Sequence, residues 1–341
     1  MNLRPWGRRE KTLRTAVRLL LGLGVSALCL YLATRGVAWG EVGTVLRNAS
    51  WGWVLMVVLI SLASHAVRAQ RWRVLLRPVT DAPYYPALSA TLIGFGASMV
   101  LPLRLGEIIR PAVFARRVGI PLSPAFSSVV LERLIDTMFV VICFVLVVLA
   151  YPDLAEYRQL AWGAAFAVVA AMGGLFLVAR FRGRAESLAS AVLGLLPGRV
   201  ERVLAPVVRG LLDGVGGLGD MTTVAAVLAY STGLWGCVVL TYLFSFLALD
   251  IAVPLVSASL ATVVIVAAFV FLPQGPGFVG TWQAGCVLAL ALFAVPHEEA
   301  VGYAFLTWLI QMFVNIGAGG LCAAFEDVSL RQIMSSGEQR A

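Results

Sequence analysis

The feature that most constrains this chain is a series of apolar windows, each close to the length needed to cross a bilayer. A hydrocarbon layer of ~30 Å takes about 20 helical residues. Windows of that kind fall near 16–34, 51–66, 128–150, 160–179, 222–249 and 301–324, with three shorter or interrupted ones at 86–103, 255–272 and 284–295. Lipid offers backbone groups no hydrogen-bond partner, so apolar segments of this length must pair their N–H and C=O groups internally, as helices. The expected fold is therefore all-α, a polytopic transmembrane helical bundle. Only 13% of the 341 residues are charged, about half of what a soluble domain carries (roughly 25%). The most polar stretch, 180–220, is short and rich in Leu, Val and Gly, so residues 1–341 read as a single transmembrane domain. A charged start followed by an apolar run also fits a signal peptide. That run is long for the role and lacks a small-x-small cleavage site, which favours a retained first helix.

The basic residues set an orientation. Arg4, Arg8, Arg9, Lys11 and Arg14 precede the first window, Arg68, Arg71, Arg73 and Arg77 follow the second, and Arg104, Arg110, Arg116 and Arg117 precede the window at 128. Six more arginines occupy 180–209, whereas the opposite connections hold only Arg35, Arg47 and Arg158. The positive-inside rule then makes the N-terminus cytoplasmic, and the late windows return the C-terminus to the same side.

The window at 86–103 conflicts with this rule, because basic residues flank it on both sides. Gly94, Gly96 and Pro102 also weaken or end a helix there. A re-entrant segment removes the conflict; a plain spanning helix that breaks the charge rule is the alternative. A weak internal repeat favours the first. Leu101-Pro102 is followed at four residues by Gly106, and Leu272-Pro273 by Gly277. Interrupted apolar segments at matching places in two halves mark the binding site in many transporters. The expectation is one or two re-entrant segments related by an internal inverted repeat, with six or eight spans.

Four groups of residues stand out. Glu132, Arg133 and Asp136 lie inside an apolar window, where each charge costs roughly 2.5–3.5 kcal/mol at mid-membrane and so should face a bundle interior or wet cavity. An interfacial first turn, with Arg133 reaching the headgroups, is the plainer reading. Upstream, Arg104, Glu107 and Arg110 follow Pro102 and Gly106, and two guanidinium groups suit a phosphate. An ordinary arginine belt is the alternative. Pro273, Gly275, Pro276, Gly277 and Gly280 forbid regular helix, so 271–283 either lines a cavity or forms a simple loop. Arg71, Trp72 and Arg73 at the end of the second window read as an interfacial anchor. The five cysteines are scattered singly, and His65 and His297 lie far apart. No metal, cofactor or nucleic-acid partner is expected.

These motifs resemble the flippase-like membrane proteins related to the N-terminal transmembrane region of lysylphosphatidylglycerol synthase. The matching pieces are Arg71-Trp72-Arg73 with Leu75-Leu76, the Leu101–Arg110 segment, Glu132-Arg133 with Asp136, and Pro276-Gly277 with Gly280. One departure is Gln283, where the family pattern carries an acid. The resemblance implies a bacterial inner-membrane protein that moves or handles a phospholipid. It also implies that the soluble aminoacyltransferase domain is absent. The resulting expectation is a translocator binding an anionic lipid head at Arg104, Glu107, Arg110, Glu132, Arg133 and Asp136. Alternatives are a membrane-embedded transferase of lipid or glycan synthesis, or a non-catalytic partner of such an enzyme. A homo-oligomer fits either class.

Overall fold

The computed structural model describes residues 6–216 and 220–326. Among them are thirteen α-helices and no strand. Two helices lead in: α1 (Trp6–Thr34) and α2 (Trp39–Arg47), whose apolar parts meet at a bend of 84°. The first core unit is α3 (Trp51–Leu76), α4 (Tyr84–Val100), α5 (Gly106–Val118) and α6 (Leu122–Ala150). Proline and glycine set its boundaries. Pro83 and Pro121 stand at the N-caps of α4 and α6, Pro102 follows the extended Leu101 that ends α4, and Gly119 ends α5 at a φ of 78°. That left-handed conformation is the usual glycine stop of a helix.

Three helices then intervene: α7 (Arg158–Arg180), α8 (Arg182–Gly194) and α9 (Gly198–Gly216). Much of the basic stretch at 180–220, which looks like a connecting loop in sequence, is thus helical, and α9 packs against α6. The second core unit is α10 (Met221–Ala248), α11 (Leu255–Val270), α12 (Thr281–Ala291) and α13 (His297–Phe325). Asp220 caps α10 by accepting from the N–H groups of Thr222 and Thr223 at 3.3 and 3.2 Å, two donors that a helix start leaves free.

The two units repeat helix for helix: a long helix, two short ones, then a helix of 29 residues in each. They are inverted. The N–H of Ser50, just before α3, donates to the carbonyl of Ala248 at the end of α10 at 2.7 Å. At the other end Val74 and Leu75 of α3 cluster with Val227 near the start of α10. The long helices therefore run antiparallel, and the short pairs that follow them start from opposite ends of the bundle. Individual contacts repeat as well. Trp72 of α3 donates to Ser128 of α6 at 2.9 Å, and Tyr303 of α13 donates to the Tyr242 carbonyl of α10 at 3.0 Å.

Each short pair is a tight hairpin. A Cβ on Gly94 would lie 2.6 Å from Cβ of Arg110, and one on Gly106 only 1.9 Å from the Gly94 carbonyl oxygen. Helices α4 and α5 thus touch through bare backbone. The α11–α12 pair crosses the same way, with Gly285 against Val266 at 3.0 Å. The hairpin tips meet in the middle. Arg104 donates to the Val270 carbonyl, one of the oxygens that the end of α11 leaves without a helical partner. Gly277, at a φ of 69°, sits beneath the Met99 carbonyl.

Among the described residues four helices (α3, α6, α10 and α13) are long and apolar enough to cross a membrane, or five spans if the bent α1–α2 pair counts as one. Leu55, Leu59, Phe166 and Phe313 stand exposed on outward faces. In water such surface would be costly, but against lipid it is not. The chain is a multi-pass membrane protein. Its first five and last fifteen residues lie outside the described ones, and the expected cytoplasmic placement of both termini concerns those residues.

Candidate functional site

A cavity of about 270 Å³ opens where the two hairpins face each other between α3, α6, α10 and α13. Its lining is mixed: Val238, Tyr242, Val263 and Val266, from α10 and α11, are apolar, whereas Arg68, Arg104, Glu107, Arg110 and Arg133 bring charge.

Behind the charged lining lies a buried ion cluster built from three helices. α6 supplies the carboxylates: Glu132 is fully buried and Asp136 nearly so, four residues apart on one face. Arg68 and Arg71 come from α3, three residues apart, and Arg110 from α5. Oε1 of Glu132 lies 3.0 Å from Arg110, 3.0 Å from Arg133, 3.3 Å from Arg71 and 3.5 Å from Arg68. Asp136 takes Arg71 at 2.7 Å, Arg133 at 3.1 Å and Arg68 at 3.5 Å. Four guanidinium groups thus surround two carboxylates, an excess of two positive charges. Several polar atoms there lack a hydrogen-bond partner: Nε of Arg68, Arg71, Arg110 and Arg133, Nη2 of Arg71 and Arg110, and Oε2 of Glu132.

The guanidinium carbon of Arg110 sits 4.1 Å from the centroid of the Trp72 ring, a cation–π contact that helps hold the group in place. Arg104 sits at the mouth, 3.7 Å from Glu107 and over the rings of Phe271 and Phe278. Its φ of 55° is unusual for a residue with a side chain.

The structure brings together all six residues of the expected head site. It places the α3 residues differently from the sequence reading. Arg71 and Trp72 are not an interfacial anchor: both are fully buried, one inside the ion cluster and the other under Arg110. Arg73 alone stays at the edge, donating to the Ala82 carbonyl at 2.6 Å. Arg68, counted in sequence only among the basic residues after the second window, also joins the cluster. The signal available was its spacing: His65, Arg68 and Arg71 recur every three residues and so share a face of α3.

The second break builds its own scaffold. Pro273 and Pro276 lie in it, and Gly280, at a φ of 85°, presses on the Ser26 carbonyl of α1, where a Cβ would come within 1.9 Å. Gln283 is buried, and its Oε1 accepts from the N–H of Gly280 at 2.7 Å. It thereby caps α12 rather than lining the cavity. On the second repeat the places of Glu132 and Asp136, counted from the helix start, fall to Thr307 and Gln311. Both are neutral. Trp282 donates to Thr307 at 3.1 Å, where Arg110 donates to Glu132 in the first. The repeat is structural, while the charge belongs to one half.

Two inverted helical hairpins, apposed at their tips over a cavity with charged lining inside an all-helical bundle, define the class: a multi-pass membrane protein. The chain belongs to the family of the lysylphosphatidylglycerol synthase TM region, whose pattern matches residues 19–319. It is also similar to the glycosyltransferase AglD of Haloferax volcanii, at 26% identity over 89% of this chain. The chain spans about half of that relative's length, 53%.

Proposed function

We propose that the chain is an inner-membrane lipid translocator or lipid-handling protein that takes the anionic head of a phospholipid into this cavity. The observation that carries the reading is the cavity's mixed lining: the guanidinium groups of Arg68, Arg104, Arg110 and Arg133 beside the aliphatic side chains of α10 and α11. A lipid has the same two parts. Arg104, Arg110 and Arg133 would receive the head, with Arg68 and Arg71 behind them. Glu107, Glu132 and Asp136 orient the arginines and moderate their field, so that bound lipid can leave.

On this reading the α4–α5 and α11–α12 hairpins dip into the bilayer from opposite faces, and the arginine-rich connections and both termini lie in the cytoplasm. Irregular backbone at membrane depth survives where protein or a wet cavity satisfies it. Rocking of one repeat against the other would expose the site alternately to the two sides.

The test uses purified protein in vesicles of phosphatidylcholine with phosphatidylglycerol or cardiolipin, scoring binding and transbilayer movement. Arg110→Ala should weaken binding of either anionic lipid about tenfold and leave phosphatidylcholine unaffected, as loss of a charge-assisted bidentate contact predicts. Arg110→Lys should restore part of it, since an ammonium lacks the planar fork. Unchanged anionic-lipid binding in folded Arg110→Ala and Arg133→Ala variants would exclude the site.

The similarity to a glycosyltransferase favours a second reading, a membrane module that presents a lipid-linked substrate in lipid or glycan synthesis. Co-purification with a transferase, together with lipid binding but no transbilayer movement, would support it over translocation.

A further inference from the structure

We infer that the head recognised in this cavity is a phosphate monoester or diphosphate, a group carrying about two negative charges, rather than the singly charged phosphodiester of an ordinary phospholipid. The inference rests on the reading of the cavity as a lipid-head site and narrows it to a substrate class.

The first argument is charge. Arg68, Arg71, Arg110 and Arg133 pair with Glu132 and Asp136. Arg104 and Glu107 pair with each other at the mouth and leave that balance unchanged. Arginine stays protonated at any working pH. The cluster therefore holds an excess of two positive charges in a largely buried setting, where unmatched charge is expensive. A dianionic ligand cancels it, and a monoanionic one leaves half of it.

The second argument is the origin of the guanidinium groups. Arg110 of α5, Arg68 of α3 and Arg133 of α6 all line the cavity, so cations are supplied from three separate helices. A phosphodiester offers two unesterified oxygens, and a monoester or terminal diphosphate offers three. Only the latter gives each helix its own acceptor. The third argument is size. At about 270 Å³ the cavity falls just below the range of about 300–1,000 Å³ typical of pockets for drug-sized ligands. A compact phosphate fits with the first methylenes behind it.

The experiment compares phosphatidic acid with phosphatidylglycerol, each in phosphatidylcholine nanodiscs holding the full chain. It is run at pH 8, where a phosphate monoester carries close to two charges. Affinity is read by native mass spectrometry, and inorganic phosphate is added as a competitor. Phosphatidic acid should bind about tenfold more tightly than phosphatidylglycerol, and millimolar inorganic phosphate should displace it only weakly. Arg133→Gln, at the partly exposed edge of the cluster, removes one positive charge, and it is read in protein whose thermal transition matches the unsubstituted chain. It should bring the two lipids to nearly equal affinity. Equal affinities in the unsubstituted protein, both above phosphatidylcholine, would overturn this inference and leave the anionic-head reading standing. No preference for either over phosphatidylcholine would overturn both. Displacement by inorganic phosphate as potent as phosphatidic acid itself would overturn the lipid part, making the ligand a soluble phosphate.

Discussion

Arg71 shows how far a single residue's role departs from its place in the sequence. As one of four basic residues near the end of an apolar window, it has the pattern of a membrane-surface belt. In the fold it is fully buried, bridging Asp136 at 2.7 Å and Ser231 of the opposite repeat at 3.2 Å. Which side of α3 faces inward cannot be read from a helix that is apolar around most of its circumference. Glu132 and Asp136 were legible for the opposite reason: a carboxylate inside an apolar window has few places to go. Removing Arg71 leaves both carboxylates short of their deepest cation. Arg71→Ala should therefore destabilise the protein by about 3–5 kcal/mol, the usual penalty for breaking a buried ion pair on one side, seen as an early thermal transition in detergent. Arg182→Ala breaks an exposed pair with Glu186 at 2.7 Å and should cost below about 1 kcal/mol. Equal losses would mean that the α6 cluster is no more buried than the surface.

At the scale of elements, the hairpins were only half visible in sequence. Pro102 and the proline–glycine run at 273–280 announce where helices stop. The backbone crossings that make each pair a unit involve residues far apart, such as Gly94 with Gly106, and nothing local marks them. The breaks also differ in length, so their shared geometry is plain only once both tips are seen to meet. Gly106→Ala places a Cβ 1.9 Å from a carbonyl oxygen of α4. Overpacking of this kind costs typically about 1–3 kcal/mol, and here it must also separate α4 from α5 beside Arg110. The variant should lose both thermal stability and anionic-lipid binding. Gly163→Ala, with open space around its position on α7, should be stable and bind lipid normally. If Gly106→Ala also behaves normally, the α4–α5 crossing is looser than described.

For the whole molecule, the inverted repeat joins fold to function. Its sequence trace was one short leucine–proline–glycine spacing, because the two halves share geometry while differing in charge at the positions that matter, Glu132 and Asp136 against Thr307 and Gln311. The repeat makes a topological prediction. Cysteines at Tyr85 and Arg116, flanking the first hairpin, should be labelled from one face of the membrane. Cysteines at Val256 and Leu292, flanking the second, should be labelled from the other. Labelling of Tyr85 and Arg116 from opposite faces would make α4 a plain spanning helix. The central claim, that a lipid's anionic head enters the arginine-lined cavity with its chain along the aliphatic side chains of α10 and α11, is tested most directly by photo-cross-linking. A phosphatidic acid carrying a diazirine near its head, activated in vesicles containing the purified protein, is mapped by peptide mass spectrometry. The account predicts adducts on the cavity walls, within 235–242 of α10 and 263–270 of α11, that vanish with excess unlabelled phosphatidic acid and are depleted in Arg110→Ala. Adducts confined to the outward faces around Phe166 and Phe313, unchanged by competitor or by that substitution, would contradict it.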